Sequence, residues 1–126
     1  MLRFLIADEH EIIRRGIKQI LLEEFFPAHI EEAGDAESLM NKALNGKWDV
    51  VIADLVMSNG SGIAALKRIR QSIPQLPILI LSTYPEEQFA HHAMDAGASA
   101  YLEKEIAPEE LVNTVKQILS VKILGN

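Results

Sequence analysis

The sequence predicts an α/β fold: a doubly wound, five-stranded parallel sheet with helices on both faces. Three observations carry that prediction. Short apolar runs alternate five times with stretches whose hydrophobic residues recur at helical spacing, the pattern of a parallel sheet joined by crossover helices. The first, third and fourth runs are apolar through their length, and Val50-Val51-Ile52-Ala53 and Ile78-Leu79-Ile80-Leu81 show no alternation, as expected of strands buried on both faces. Each of these runs then stops abruptly at a polar residue on its carboxyl side, the edge where open α/β sheets collect ligands and chemistry.

Residues 2 to 7 form the first strand and end at Asp8-Glu9-His10. From Glu11 to about Glu24, Ile12, Ile13, Gly16, Ile17, Ile20 and Leu21 recur at helical spacing, with Arg14, Arg15, Lys18 and Gln19 between them, which predicts an amphipathic helix. Pro27 ends the next stretch. Ile30-Glu31-Glu32-Ala33 has a polar middle and reads as a short edge strand. Asp35 is placed to cap a second helix whose inner stripe is Leu39, Met40, Ala43 and Leu44, with Gly46 as its stop. Trp48 leads into the central strand, which ends at Asp54.

A glycine-containing loop, residues 55 to 62, precedes a third helix with Leu66, Ile69 and Ile73 inward. Pro74 and Pro77 bracket the turn into the fourth strand, which ends in the hydroxyls Ser82 and Thr83. Pro85-Glu86-Glu87 opens a fourth helix with proline and acids in its first turn, and Gly97 follows its end. Ala100-Tyr101-Leu102 is the last strand, with Lys104 just beyond it. Pro108-Glu109-Glu110 opens a fifth helix with Leu111, Val112, Val115, Ile118 and Leu119 as its stripe; residues 120 to 126 carry no clear signal. The apolar strands belong mid-sheet and the shorter or more polar second and fifth at the edges. Order 2-1-3-4-5 satisfies this, a flavodoxin-like arrangement whose switch point lies between strands one and three, where Asp8, Glu9 and Asp54 are expected to meet.

The totals narrow the function. A chain of 126 residues, 48% hydrophobic and 24% charged, fits one domain with a sizeable core. Without cysteine it has neither disulfides nor thiolate metal sites. The first apolar run is too short for a signal peptide or membrane span, so the expectation is a cytoplasmic protein that does not engage a membrane. A formal net charge of -6 without a run of Lys or Arg leaves no basic footprint with which these residues could grip DNA.

Carboxylates gathered at one point repel one another by about 4 kcal/mol per pair at about 4 Å in an effective dielectric of about 20, so a positive charge must sit among them. An all-oxygen cluster favours a hard cation, and Mg²⁺ fits. His10, at the start of a helix, is read as a helix-start residue rather than a ligand, and His91 and His92 as helix surface. Lys104 and Ser82, from strands five and four, reach the same crevice. An ammonium and a hydroxyl beside a divalent cation make a cradle for a phosphoryl group, and Asp54 is then the carboxylate that attacks phosphorus to form an acyl phosphate.

Asp8-Glu9, Asp54, Ser82 and Lys104, each after its own strand, resemble in order and spacing the receiver domains of bacterial two-component response regulators, over essentially the whole chain. Ile6-Ala7-Asp8-Glu9-His10, Ala96-Gly97-Ala98 and Tyr101-Leu102-Glu103-Lys104 look most like the NarL/LuxR-type subgroup. The resemblance implies the CheY-like form of the fold and phosphorylation of Asp54 by a sensor histidine kinase or a small phosphodonor. It further implies Mg²⁺ held by Glu9, Asp54 and the Val56 carbonyl with Asp8 assisting, and a switch made by Ser82 and Tyr101. On phosphorylation the hydroxyl moves toward the phosphate, the ring follows inward, and the face made by helix four, strand five and helix five changes. Such a protein is a signalling device rather than an enzyme, catalysing only its own phosphorylation and dephosphorylation. It can form a homodimer, and it reaches DNA only through a C-terminal helix-turn-helix domain absent here. The receiver is expected to span residues 1–122, with 123–126 beginning a linker.

The sequence departs from the family pattern in four places. Ser58 replaces the usual proline, which predicts a more mobile loop over residues 58 to 62. Glu9 replaces the more frequent aspartate and lengthens the reach to a metal. Glu105 stands where proline is common, so a cis peptide after Lys104 is not assumed. Tyr84 is bulky and expected to shield Asp54 from water. Among rival readings, a flavodoxin-type electron carrier needs a Ser/Thr/Gly-rich phosphate loop where Asp8-Glu9-His10 stands. A Mg²⁺-dependent hydrolase lacks a second acid beside Asp54 and a basic substrate surface. An adaptor that has lost phosphorylation would not need all four key side chains, which are present.

Overall fold

The computed structural model describes residues 1–57 and 60–124. Ser58 and Asn59, on which the expectation of loop mobility rests, lie outside the described residues, as do Gly125 and Asn126 of the expected linker. Among the described residues, the main sheet consists of β1 (Leu2–Ala7), β2 (Ala28–Ala33), β3 (Val50–Asp54), β4 (Ile78–Ser82) and β5 (Ala100–Glu103). All neighbours pair in parallel in the order β2-β1-β3-β4-β5, the arrangement that strand composition predicts. Between the strands run α1 (Glu11–Phe25), α2 (Ala36–Asn45), α3 (Gly62–Ser72) and α4 (Glu86–Ala96), and α5 (Pro108–Leu124) follows β5.

Because successive side chains of a strand point to opposite faces, the sheet supplies two cores. Leu5, Ala7, Val51, Ala53, Ile78, Ile80 and Tyr101 pack with Leu39 and Ala43 of α2, Leu66 and Ile69 of α3, and Ala93 and Ala96 of α4. Phe4, Ile6, Val50, Ile52, Leu79 and Leu81 pack with Ile17 and Leu21 of α1 and Leu111, Val115 and Ile118 of α5. Burial on both faces is why β3 and β4 read as unbroken apolar runs, whereas the half-exposed β2 tolerates Glu31 and Glu32.

Capping follows the sequence closely. The Asp35 carboxylate accepts from Ser38 N at 2.7 Å at the start of α2, and Ser61 Oγ accepts from Ile63 N at 3.1 Å before α3. Gly97 ends α4 with φ 116°, a left-handed turn that a side chain would strain.

Three features differ from expectation. Ile12 is 79% exposed and Gly16 is also exposed, so the inner stripe of α1 is narrowed to Ile13, Ile17, Ile20 and Leu21. Val56-Met57 pairs antiparallel with Gly60-Ser61, a small ladder inside the stretch read as loop. Finally, α5 continues through Leu124, carrying the helix into the segment where a linker was expected to begin.

The Asp54-Leu55 backbone is pressed directly against the start of α3. A Cβ at Gly62 would collide with the carbonyl oxygens of Leu55 and Asp54. Gly62→Ala is therefore expected to cost about 1–3 kcal/mol, read as a lower midpoint in urea unfolding, whereas Gly16→Ala, with nothing within 4 Å of its Cβ position, should not destabilise.

Candidate functional site

Register decides which polar strand ends meet. Ala7 of β1 pairs with Ala53 of β3, so the next residues, Asp8 and Asp54, leave the sheet side by side. Ser82 of β4 pairs with Glu103 of β5, and Lys104 N donates to Ser82 O at 2.7 Å. Carrying each strand's alternation forward puts Asp8, Asp54 and Lys104 on the side of α1 and α5, and Ser82 with Tyr101 on the side of α2, α3 and α4. The predicted site residues accordingly form two groups.

In the first, the Lys104 ammonium lies 2.7 Å from Asp8 Oδ2 and 2.9 Å from Asp54 Oδ2. Asp8 is 2% and Asp54 8% exposed. The other Asp8 oxygen accepts from His10 N at 2.9 Å and lies 3.1 Å from His10 Nδ1, and Asp54 Oδ1 faces Val56 N at 3.4 Å. Burial pushes the Asp54 carboxyl above its ordinary range; the bond to Lys104 opposes this, and the charge of Asp8 adds to it. Burial alone would depress Lys104, but its bonds to Asp8 and Asp54 override that and hold it above the usual lysine value. Both values rise, for different reasons: burial dominates at Asp54, whereas two anionic partners at once outweigh burial at Lys104.

The second group is built around the Tyr84 peptide. Ser82 is fully buried and its Oγ accepts from Tyr84 N at 3.0 Å, while Tyr101 OH donates to Tyr84 O at 2.7 Å. Tyr101 is buried, its ring already inward; burial pushes the phenol up, and the Ser82 hydroxyl pulls it partly back. The partly exposed Tyr84 ring leans on Phe89 of α4, centroids 4.7 Å apart.

Glu9 does not join Asp8 and Asp54. It is exposed, and among the described residues no three His, Cys, Asp or Glu side chains form a group that could hold a metal ion. The expected meeting of three carboxylates is thus corrected to two on a shared lysine, because adjacent residues leaving a strand diverge and Lys104 occupies the space between the other two. His10 stands at the N-cap of α1 against Asp8, and His91 and His92 are exposed on α4.

Sequence reasoning missed Arg14, whose Nη1 donates to Asp8 O at 2.7 Å and whose Nε donates to Glu32 Oε1 at 2.9 Å. A cation one turn into the helix that follows an acidic strand end was the available signal.

A doubly wound sheet that buries two carboxylates on one lysine at its switch point belongs to the class of CheY-like signalling domains. More particularly, the chain belongs to the response regulator receiver domain family, which matches residues 4–116. It is similar to the uncharacterized transcriptional regulatory protein YxjL of Bacillus subtilis, 32% identical over 91% of this chain and 53% of that protein. It also resembles the oxygen regulatory protein NreC of Staphylococcus carnosus, 32% identical over 93% of this chain and 54% of that protein. The chain thus spans about half the length of the curated relatives it matches. Among solved structures, a LuxR-family two-component response regulator from Aurantimonas sp. SI85-9A1 superposes with TM-score 0.85 at 34% identity, covering 94% of this chain and 84% of that one. A CheY-like receiver domain protein from Methanospirillum hungatei JF-1 gives TM-score 0.91 at 25% identity, covering 100% and 99%.

Removing the shared cation leaves two buried charges uncompensated. Lys104→Met is expected to destabilise the protein by about 3 kcal/mol at neutral pH. Asp54 already titrates above its unfolded value, so this loss should shrink as pH falls through the raised folded-state pKa and the carboxylate takes up a proton. Thermal unfolding of wild type and variant across pH checks both statements; a loss that grows on acidification would refute the second.

Proposed function

We propose that this receiver is switched by phosphorylation of Asp54, with a sensor histidine kinase or a small phosphodonor supplying the phosphoryl group. The observation that carries the reading is the Lys104 ammonium shared by two buried carboxylates at the carboxyl edge of the central strands. An Asp54 oxygen attacks phosphorus, the bond from phosphorus to the donor's leaving group breaks, and that group leaves with the electron pair and takes a proton from solvent. The product is an acyl phosphate on Asp54. Lys104, already poised on the reacting carboxylate, balances the added negative charge, and the Ser82 hydroxyl turns to donate to a phosphoryl oxygen.

The all-oxygen chemistry of the acidic edge suits a hard cation, and Mg²⁺ would be held by the Asp8 and Asp54 carboxylates and the Val56 carbonyl, with water in its remaining positions. When bound it supplies the positive charge that brings an anionic donor to an anionic site. Turning Ser82 away from Tyr84 N disturbs the peptide that Tyr101 OH holds, which conveys the change to α4, β5 and α5. Output is control of transcription through a DNA-binding domain outside these residues, with homodimer formation on the changed face. The relatives named as a transcriptional and an oxygen regulatory protein support this. Action in the cytoplasm agrees with the family and with the finding that, among the described residues, no helix is long and apolar enough to cross a membrane.

Intact mass after incubation with phosphoramidate or acetyl phosphate is expected to show one phosphoryl adduct that requires Mg²⁺ and is lost in Asp54→Asn. No adduct under any condition would mean a receiver that works without phosphorylation. Tyr84→Ala should shorten the lifetime of the adduct by opening Asp54 to water; an unchanged decay rate would refute the shielding role.

A further inference from the structure

We propose that Arg70 is the pivot of α4: it clamps the C-terminal end of that helix to the end of α3, so that a change at the Tyr84 peptide tilts the first turns of α4 about a fixed point at Gly97. The proposal rests on the reading of Ser82 and Tyr101 as a switch and names the element that the switch moves.

The last carbonyls of a helix have no partner within it and form the negative end of its dipole. Arg70, in the last turn of α3, serves two such ends at once. Its Nη1 donates to Ile73 O at 3.2 Å and to Pro74 O at 2.8 Å, just past α3, while Nε and Nη2 donate to Gly97 O, just past α4, at 2.9 and 2.7 Å. Among the described residues no carboxylate pairs with this half-buried guanidinium, so carbonyl dipoles alone hold its charge. Gly97 suits the joint on two counts: its φ of 116° is left-handed, and a Cβ there would stand 2.7 Å from Arg70 Cγ.

The chain beyond Gly97 is fastened as well. Ala98 N donates to Ala93 O at 3.0 Å, Ser99 N to Ile78 O at 2.7 Å, and Ile78 N to Ser99 Oγ at 3.0 Å. Ala93 and Ala96, the buried residues of α4, both lie in its C-terminal half. The other end is held more loosely. Residues 83 to 88 are exposed, no side chain caps the helix, and Gln88 N and Phe89 N share Pro85 O at 3.2 and 3.1 Å. Besides the partly buried Phe89 and Ala90, its ties to the sheet run through Tyr84, whose peptide bonds to Ser82 Oγ and Tyr101 OH and whose ring rests on Phe89. A helix of 11 residues is about 16 Å long, so a tilt of about 10° about Gly97 carries its first turn through about 3 Å. With both ends loose, the same disturbance would fray the helix instead of swinging it.

The test is amide hydrogen exchange, followed residue by residue by NMR in the unphosphorylated protein. Tyr101→Phe, which deletes one bond to the Tyr84 peptide and leaves Arg70 alone, is expected to speed exchange at amides 89 to 92 about fivefold, the worth of one neutral hydrogen bond, while amides 95 to 98 keep wild-type rates. Arg70→Lys keeps the charge but loses the planar fork that reaches three carbonyls, and should speed exchange at Gly97 and Ala98 about tenfold. In that background the Tyr101→Phe effect should spread through amides 95 to 98, whereas an arginine that only adds stability would speed exchange in α4, β3 and β4 alike and leave the Tyr101→Phe effect where it was.

Equal acceleration of both halves of α4 by Tyr101→Phe in the wild-type background overturns the proposal, as does a profile unchanged along the whole helix. So does an effect still confined to the first turns when Arg70 is replaced by lysine. Should Arg70→Lys fail to fold, the Tyr101→Phe profile decides alone. After phosphoramidate and Mg²⁺ treatment, amide resonances of residues 84 to 92 are expected to shift and those of 97 to 99 to stay in place; the reverse pattern also overturns the pivot. Absence of any phosphoryl adduct overturns the acceptor reading instead, and the exchange profiles then decide the role of Arg70.

Discussion

One ammonium between two buried carboxylates is the interaction on which this molecule depends. Lys104 brings Asp8 and Asp54, from neighbouring strands, to the same nitrogen at 2.7 and 2.9 Å. Taking such charges out of water costs several kcal/mol each, and a hydrophobic replacement of similar volume is often at least as stable. The triad is therefore poorly explained by stability alone. Burial holds the Asp54 carboxyl above its ordinary range, and the neighbouring charge of Asp8 adds to that even though both share the Lys104 ammonium.

The sheet delivers this geometry through register and alternation. Parallel pairing of Ala7 with Ala53 sets Asp8 beside Asp54, and pairing of Ser82 with Glu103 brings Lys104 over the same edge. Alternation then separates the charged set from Ser82 and Tyr101, which meet at the Tyr84 peptide on the other side. The charged group and the Ser82–Tyr101 group thus lie on opposite faces of the sheet. Close backbone packing adds rigidity here, since Gly62 lets α3 begin directly against the carbonyls of Asp54 and Leu55.

Much of this was legible in the chain. Unbroken apolar runs fixed β3 and β4 as central, Glu31 and Glu32 marked β2 as an edge, and Asp35 and Gly97 bounded their helices as their chemistry requires. The small ladder of Val56-Met57 with Gly60-Ser61 was not visible, because two-residue pairings carry no periodicity. The end of α5 was not visible either: residues 120 to 126 carry no clear stop in the sequence, and the helix runs through Leu124. Ile12 counts as inward by spacing alone, yet it is exposed, because the period of a helix does not say how wide a stripe its partner covers.

By itself the sequence determined the order of the elements, the identity of the central strands and the presence of acids, a hydroxyl and a lysine at their carboxyl ends, because these depend on local composition and on periods of two and 3.6 residues. Only the tertiary structure decided which of those groups touch. It placed Lys104 between Asp8 and Asp54, left Glu9 at the exposed rim, turned Tyr101 inward onto Tyr84 and reached back with Arg14 to the Asp8 carbonyl. Those outcomes rest on cross-strand register and on side chains bridging separate elements, and neither is encoded in the spacing of residues along a single strand or helix.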